Sequence, residues 1–184
     1  VLVHRLPVMI LDSEAHPATR FNLKTPGSHC PHCHHALRWY ELIPVLSYVL
    51  AKGQCRHCGL GISMRYPAIE IMTALLFVSC LFKFGFTWQA LLGCFFSATL
   101  LALAWIDAET FLLPDFLTQA LLWVGLIGSA LSLTQTPLMH SLGGAVFGYG
   151  LLWLVSQGFE KLAGKEGMGQ GDLKLLAGLG AWVG

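Results

Sequence analysis

The sequence predicts an all-α polytopic membrane protein, a bundle of transmembrane helices with a small polar head. Three observations lead there. Of 184 residues, 55% are hydrophobic and only 11% charged, against about a quarter charged in soluble domains. Mean hydropathy is +0.63. The polar residues are also segregated: seven of eleven Lys and Arg precede Pro67, and seven of eight His fall in the first 57 residues. No Lys or Arg lies between Phe84 and Phe159. The chain therefore divides into a head, residues 1–66, and a membrane-embedded body, residues 67–184. The lipid bilayer is the first expected partner. A net charge of +1 gives no reason to expect nucleic acid.

The head carries two CxxC pairs, Cys30-Pro31-His32-Cys33 and Cys55-Arg56-His57-Cys58, separated by 21 residues. Each pair can grip one ion through a tight turn. Four thiolates from Cys30, Cys33, Cys55 and Cys58 complete a tetrahedral structural Zn2+ site, although the gap slightly exceeds the usual ribbon spacing. A reducing cytoplasm favours metal over disulfides. Redox use of the pairs is the alternative. Trp39, Tyr40, Ile43, Pro44 and Val45 offer a small apolar core around the metal. The nearby His29, His32, His34, His35 and His57 are expected beside the site rather than on the metal, since four cysteines close the shell. Cys80 and Cys94 lie in apolar runs and read as small hydrophobes.

Arg65-Tyr66-Pro67-Ala68-Ile69-Glu70 joins head to body. Pro67 suits the first position of a helix, and Glu70 in the first turn would meet the positive end of the dipole. A catalytic or cofactor role for Glu70 stays open beside that reading. Apolar runs then follow at about Ala68–Phe82 (extendable to Phe86), Trp88–Ile106, Phe116–Leu133 and Ser141–Phe159, with a fifth starting at Leu173. A span needs about 20 residues. Gly144 and Gly148 form a small-xxx-small pair suited to close helix packing. Counting cations near span ends puts the head, 107–115 and 160–171 on the cytoplasmic side, with Lys83 the one exception among eleven. A first residue that is Val and a last apolar run of 12 residues suggest a fragment.

Asp107 closes the apolar run Leu100–Ile106, and Asp172 follows Gly167-Met168-Gly169-Gln170-Gly171. Ionisable residues at hydrocarbon borders are costly and point to function. Each has a plainer reading. Asp172 and Asp115 can be helix N-caps, Asp115 more so because it follows Pro114. The glycines before Asp172 lack Cβ and let a substrate backbone approach. Asp107 ends its helix, where the dipole disfavours an anion, so structure gains little from it. Glu109 should face water. Two adjacent carboxylates cannot both ionise comfortably, so one holds a proton while the other takes one from water. That pairing suggests an aspartyl protease working at the membrane surface. No Ser-His-Asp arrangement competes, because the one histidine outside the head, His140, lies in an outer turn.

These residues resemble the bacterial type IV prepilin leader peptidases/N-methyltransferases, which are GxGD-type membrane aspartyl proteases. The likeness runs through His4-Arg5-Leu6-Pro7, both CxxC pairs, Ile43-Pro44-Val45-Leu46-Ser47, Ile62-Ser63 and Arg65-Tyr66-Pro67. It continues through Ile106-Asp107, Leu112-Leu113-Pro114-Asp115 and Gly167-Met168-Gly169-Gln170-Gly171-Asp172-Leu173-Lys174. The resemblance implies an inner-membrane endopeptidase that removes the basic leader of prepilins and pseudopilins at the cytoplasmic face. It also implies methylation of the new N-terminus with S-adenosylmethionine. Asp107 and Asp172 would be the catalytic pair, with Asp115, Gly169 and Gly171 accessory, above a cytoplasmic zinc-binding head. Family members carry further spans on both sides of this sequence. No methyl-donor residues can be placed. A membrane thiol oxidoreductase and a non-enzymatic assembly scaffold are the competing readings.

Overall fold

The computed structural model describes residues 29, 30, 32, 33, 35–164 and 169–184; His4–Pro7, Pro31, His34, Gly167 and Met168 fall outside that set. The described chain is helical and divides into two compact units, Val1–Ser79 and Cys80–Gly184. After a short 3-10 turn at Trp39–Leu42, its helices are α1 (Leu46–Leu50), α2 (Arg65–Phe84), α3 (Trp88–Thr110), α4 (Asp115–Ala130), α5 (Leu138–Ala163) and α6 (Gln170–Val183).

Three of these, α2, α3 and α5, are long and apolar enough to cross a membrane. The expected span at Phe116–Leu133 is a helix of 16 residues, about 24 Å at 1.5 Å per residue, against about 30 Å of hydrocarbon. Pro114 sets its start, and the chain turns at Ser132, whose φ is 54°.

In the first unit, each CxxC pair forms the same small loop. His29 bridges Ala36 and Gln54 bridges Gly61, while Cys30 N–H donates to His35 O and Cys55 N–H to Leu60 O. The expected apolar core around the metal is thin. Ile43 and Pro44 are exposed, and the buried apolar side chains of the described head are Cys30 and Cys55 themselves. Glu70 is also placed differently from expectation. It is the sixth residue of α2, beyond the first turn, and its Oε2 accepts the Val45 N–H at 2.7 Å. Pro67 is the third helical residue rather than the first.

In the second unit, α6 packs against both α4 and α5. Glycine makes the α5–α6 approach possible: a Cβ on Gly148 would lie 2.7 Å from Leu176 O, and one on Gly144 would collide with Gly180 O. This is the close packing that the Gly144/Gly148 pair predicts. Backbone groups exposed by that packing find side-chain donors. Ser141 Oγ donates to Ala181 O at 2.5 Å, Thr136 Oγ1 to Trp182 O at 2.8 Å, and Trp182 Nε1 to Leu121 O at 2.8 Å. Unpaired polar groups in hydrocarbon are costly, so these bonds fix the register of α6.

Candidate active site and cysteine cluster

α3 ends where Phe111 adopts a left-handed conformation (φ 54°) and its N–H caps Asp107 O at 2.8 Å. The helix therefore runs four residues beyond the apolar stretch that Asp107 closes. Asp107 sits in the last turn with its side chain exposed. Phe111–Leu113 then lead to Pro114 and α4. At the start of α6, Gly169 is the N-cap and Asp172 the third helical residue, with no side-chain capping bond. Capping is thus excluded for Asp172, whose half-buried carboxylate lies in the first turn.

These two segments face each other. Asp107 and residues 111–113 form one wall of a cleft of about 200 Å³, and residues 169–172 form the other. Both aspartates line it. The approach of the walls explains Gly171: an added Cβ would lie 2.7 Å from Leu113 Cβ. The expectation that both glycines make room for a substrate therefore needs correction at this position. Gly171 makes room for the chain's own Leu113. Gly169 is exposed at the rim, and a Cβ there would meet only Asp172 Oδ2, at 3.8 Å.

Asp115 is not an N-cap either. Pro114 holds that position, and Asp115 Oδ2 accepts from Lys174 Nζ at 2.7 Å, tying the start of α4 to the second turn of α6. Lys174 is a residue that sequence reasoning passed over as a topology marker. Its place two residues after Asp172 carries no signal for a partner 59 positions away. Glu109 is exposed as expected, and its Oε1 accepts from Trp105 Nε1 at 3.0 Å.

The head brings Cys30, Cys33, Cys55 and Cys58 together, their sulfurs all within 4.8 Å of one another. Cys30 Sγ is 3.9 Å from Cys58 Sγ, and Cys33 Sγ is 4.0 Å from Cys55 Sγ. A tetrahedron with metal–sulfur bonds of about 2.3 Å has edges of about 3.8 Å. The four thiols therefore fit one tetrahedral ion. Backbone N–H groups of Cys33 and His32 lower the Cys30 thiol to about 7. The Cys58 and His57 amides lower Cys55 in the same way. For Cys33 the His35 amide acts downward, but desolvation and the three other thiols prevail and raise it to about 11. Among described residues the histidines stand outside this cluster, and His35 stacks on His57 with ring centroids 4.6 Å apart.

Two family models match the chain. The Bacterial Peptidase A24 N-terminal domain matches residues 1–84, and the Type IV leader peptidase family matches residues 94–184. A prepilin leader peptidase/N-methyltransferase of Pseudomonas aeruginosa is 46% identical, over all of this chain and 67% of its own length. Proteins of the same name from Stutzerimonas stutzeri and Neisseria gonorrhoeae are 44% and 42% identical, each over all of this chain and 68% of theirs. No solved structure matches.

Proposed function

We infer the activity from one premise: this chain belongs to the Type IV leader peptidase family. It is a prepilin leader peptidase/N-methyltransferase, an aspartic endopeptidase that cuts the basic leader from prepilins and pseudopilins and methylates the amine it exposes. The observation that supports the proteolytic reading is the shared cleft of about 200 Å³, which is lined by two aspartates from different helices.

The catalytic pair is Asp107 and Asp172. Asp172 stands in the first turn of α6 and Asp107 in the last turn of α3. One of the two carboxylates takes a proton from the attacking water, while the other, holding a proton, donates a hydrogen bond to the scissile carbonyl and helps pass a proton to the leaving amine. Asp115, Gly169 and Gly171 are accessory. Asp115 pins α4 to α6 through Lys174, and Gly171 lets the Leu113 wall close up.

The four head cysteines would hold a structural Zn2+, which supplies the rigidity that the thin apolar core of the head lacks. The methyl donor would be S-adenosylmethionine, with no residues assigned to it. Head (1–66) and catalytic face lie on the cytoplasmic side of the inner membrane, the side to which ten of eleven cations are drawn. A thiol oxidoreductase is less favoured, because a redox CxxC needs only its own two thiols, whereas all four sulfurs here gather within 4.8 Å of one another, as one shared ion requires.

The test is cleavage of a purified prepilin by the full-length protein beside Asp107→Asn and Asp172→Asn, with labelled-methyl incorporation followed separately. Loss of cleavage in both is expected. Wild-type cleavage by either variant removes that residue from the pair, and absent methyl incorporation by the wild type reduces the protein to a peptidase.

A further inference from the structure

Helix α1 is inside out for a water-soluble head. Leu46, Val49 and Leu50 share one side at i, i+3 and i+4, and they are 53%, 63% and 64% exposed. The other side, Ser47 and Tyr48, is half-buried. Tyr48 is fixed there: its hydroxyl donates to Ile62 O at 3.2 Å and contacts Met64 Sδ at 2.9 Å. Met64 is itself exposed and immediately precedes the spanning helix α2.

The height of α1 along that span is also set. Val45, the residue before α1, donates its N–H to Glu70, which lies five residues into α2, about 7.5 Å along its axis. Val45 is held in a left-handed conformation (φ 59°) with Leu46 N–H closing on Pro44 O at 2.5 Å. This is a tight turn that a β-branched residue adopts only under constraint. Helices lying in a membrane interface bury their apolar face about 5–10 Å into the headgroup and acyl boundary. With the start of α2 at the membrane surface, the contact with Glu70 corresponds to that depth.

We propose that α1 and Met64 form a lipid-docking surface that seats the head in the bilayer interface next to α2. The occupant is the headgroup–acyl boundary of the membrane that α2 crosses. Two observations select it. The residue before α1 is bonded to α2, a helix long and apolar enough to cross the membrane, on which Ile71, Met72 and Leu75 are also exposed. The charge of the head also matches anionic lipid: residues 35–64 carry Arg38, Lys52 and Arg56 against one carboxylate, Glu41. Lys52 is exposed in the turn after α1, a position from which a lysine can reach lipid phosphate.

The test uses the full-length protein in vesicles of phosphatidylcholine and phosphatidylglycerol, with Cys80 and Cys94 replaced by Ala. Val49→Cys and, separately, Leu50→Cys carry an environment-sensitive fluorophore, so that one misfolded variant does not decide the result. Quenching by shallow spin-labelled lipid should exceed quenching by aqueous iodide at least twofold at either position. Strong iodide quenching with no lipid quenching would show a water-facing helix and overturn the proposal. Protection from both quenchers would show that protein covers the face, whether another part of this chain or a second copy, and would overturn it equally. Because the readout does not involve cleavage, it stands or falls apart from the peptidase assignment.

Discussion

Gly171→Ala tests whether the two walls of the cleft are held at a fixed separation. The added Cβ would sit 2.7 Å from Leu113 Cβ and 3.4 Å from its Cδ1. Carbon atoms prefer about 3.5–4.0 Å, so the walls must part by about 1 Å. Overpacking of this kind costs about 1–3 kcal/mol, against which the helix gains only about 0.5–1 kcal/mol from replacing glycine. A displacement near 1 Å between reacting groups can cost about 100-fold in rate. Single-turnover cleavage of a prepilin by the full-length protein should therefore slow by about that factor with little loss of fold. Gly169→Ala is the comparison, because its Cβ meets only Asp172 Oδ2 at 3.8 Å; it should slow cleavage less than Gly171→Ala does. The clash is between β-carbons, so adding Leu113→Ala to Gly171→Ala leaves it in place, whereas Leu113→Gly removes it and should restore part of the rate. Wild-type cleavage by Gly171→Ala, or equal rescue by both Leu113 variants, would refute the reasoning.

Three further outcomes follow. With one aspartate acting as base and the other as acid, Asp107→Asn and Asp172→Asn should each cleave about 10²–10⁴-fold more slowly than wild type; single-turnover cleavage at the wild-type rate by either would remove it from the pair. Zinc binding displaces thiol protons, chiefly from Cys33 with its thiol raised to about 11, so apparent affinity should fall as pH drops from about 8 to about 6. Chelator competition reads this, and Cys30→Ser should lose the metal. The Asp115–Lys174 pair has one well-exposed partner and contributes about 0–1 kcal/mol, so Lys174→Met should slow cleavage no more than about fivefold, and the Asp115→Lys/Lys174→Asp swap should recover most of it.

Periodicity and cation placement made the membrane helices legible, and CxxC spacing made the cysteine cluster legible, because those signals are local. The pairing of Asp107 with Asp172 was legible only as an argument from topology. What the residues could not disclose were contacts whose two ends lie far apart along the chain. Glu70 reads as a dipole partner until the Val45 N–H is seen 25 positions away, and Asp115 reads as a cap until Lys174 is seen. Gly171 reads as an opening for substrate because its own sequence neighbours say nothing of Leu113. The head's thin core was misread for a related reason: Ile43 and Pro44 are apolar, but apolarity does not specify which solvent they face.

The short helix α4 bears on the topology argument itself. At about 24 Å it falls short of the hydrocarbon thickness, which by length alone would leave it on one side. Yet Asp107 ends α3 and Asp172 begins α6, and both line one cleft. The chain between them must start and finish at one level of the membrane. If α5 crosses, as its 26 residues allow, something must cross the other way, and only α4 with the segment that follows it is available. Leu131 and Leu133 extend its apolar length, and Leu133 N–H is kept bonded to Gly128 O at 2.8 Å. A mismatch of a few ångströms is tolerated by local thinning of the bilayer at modest cost. Parity within one compact unit thus recovers the span that helix length alone denies, without any appeal to which side is cytoplasmic.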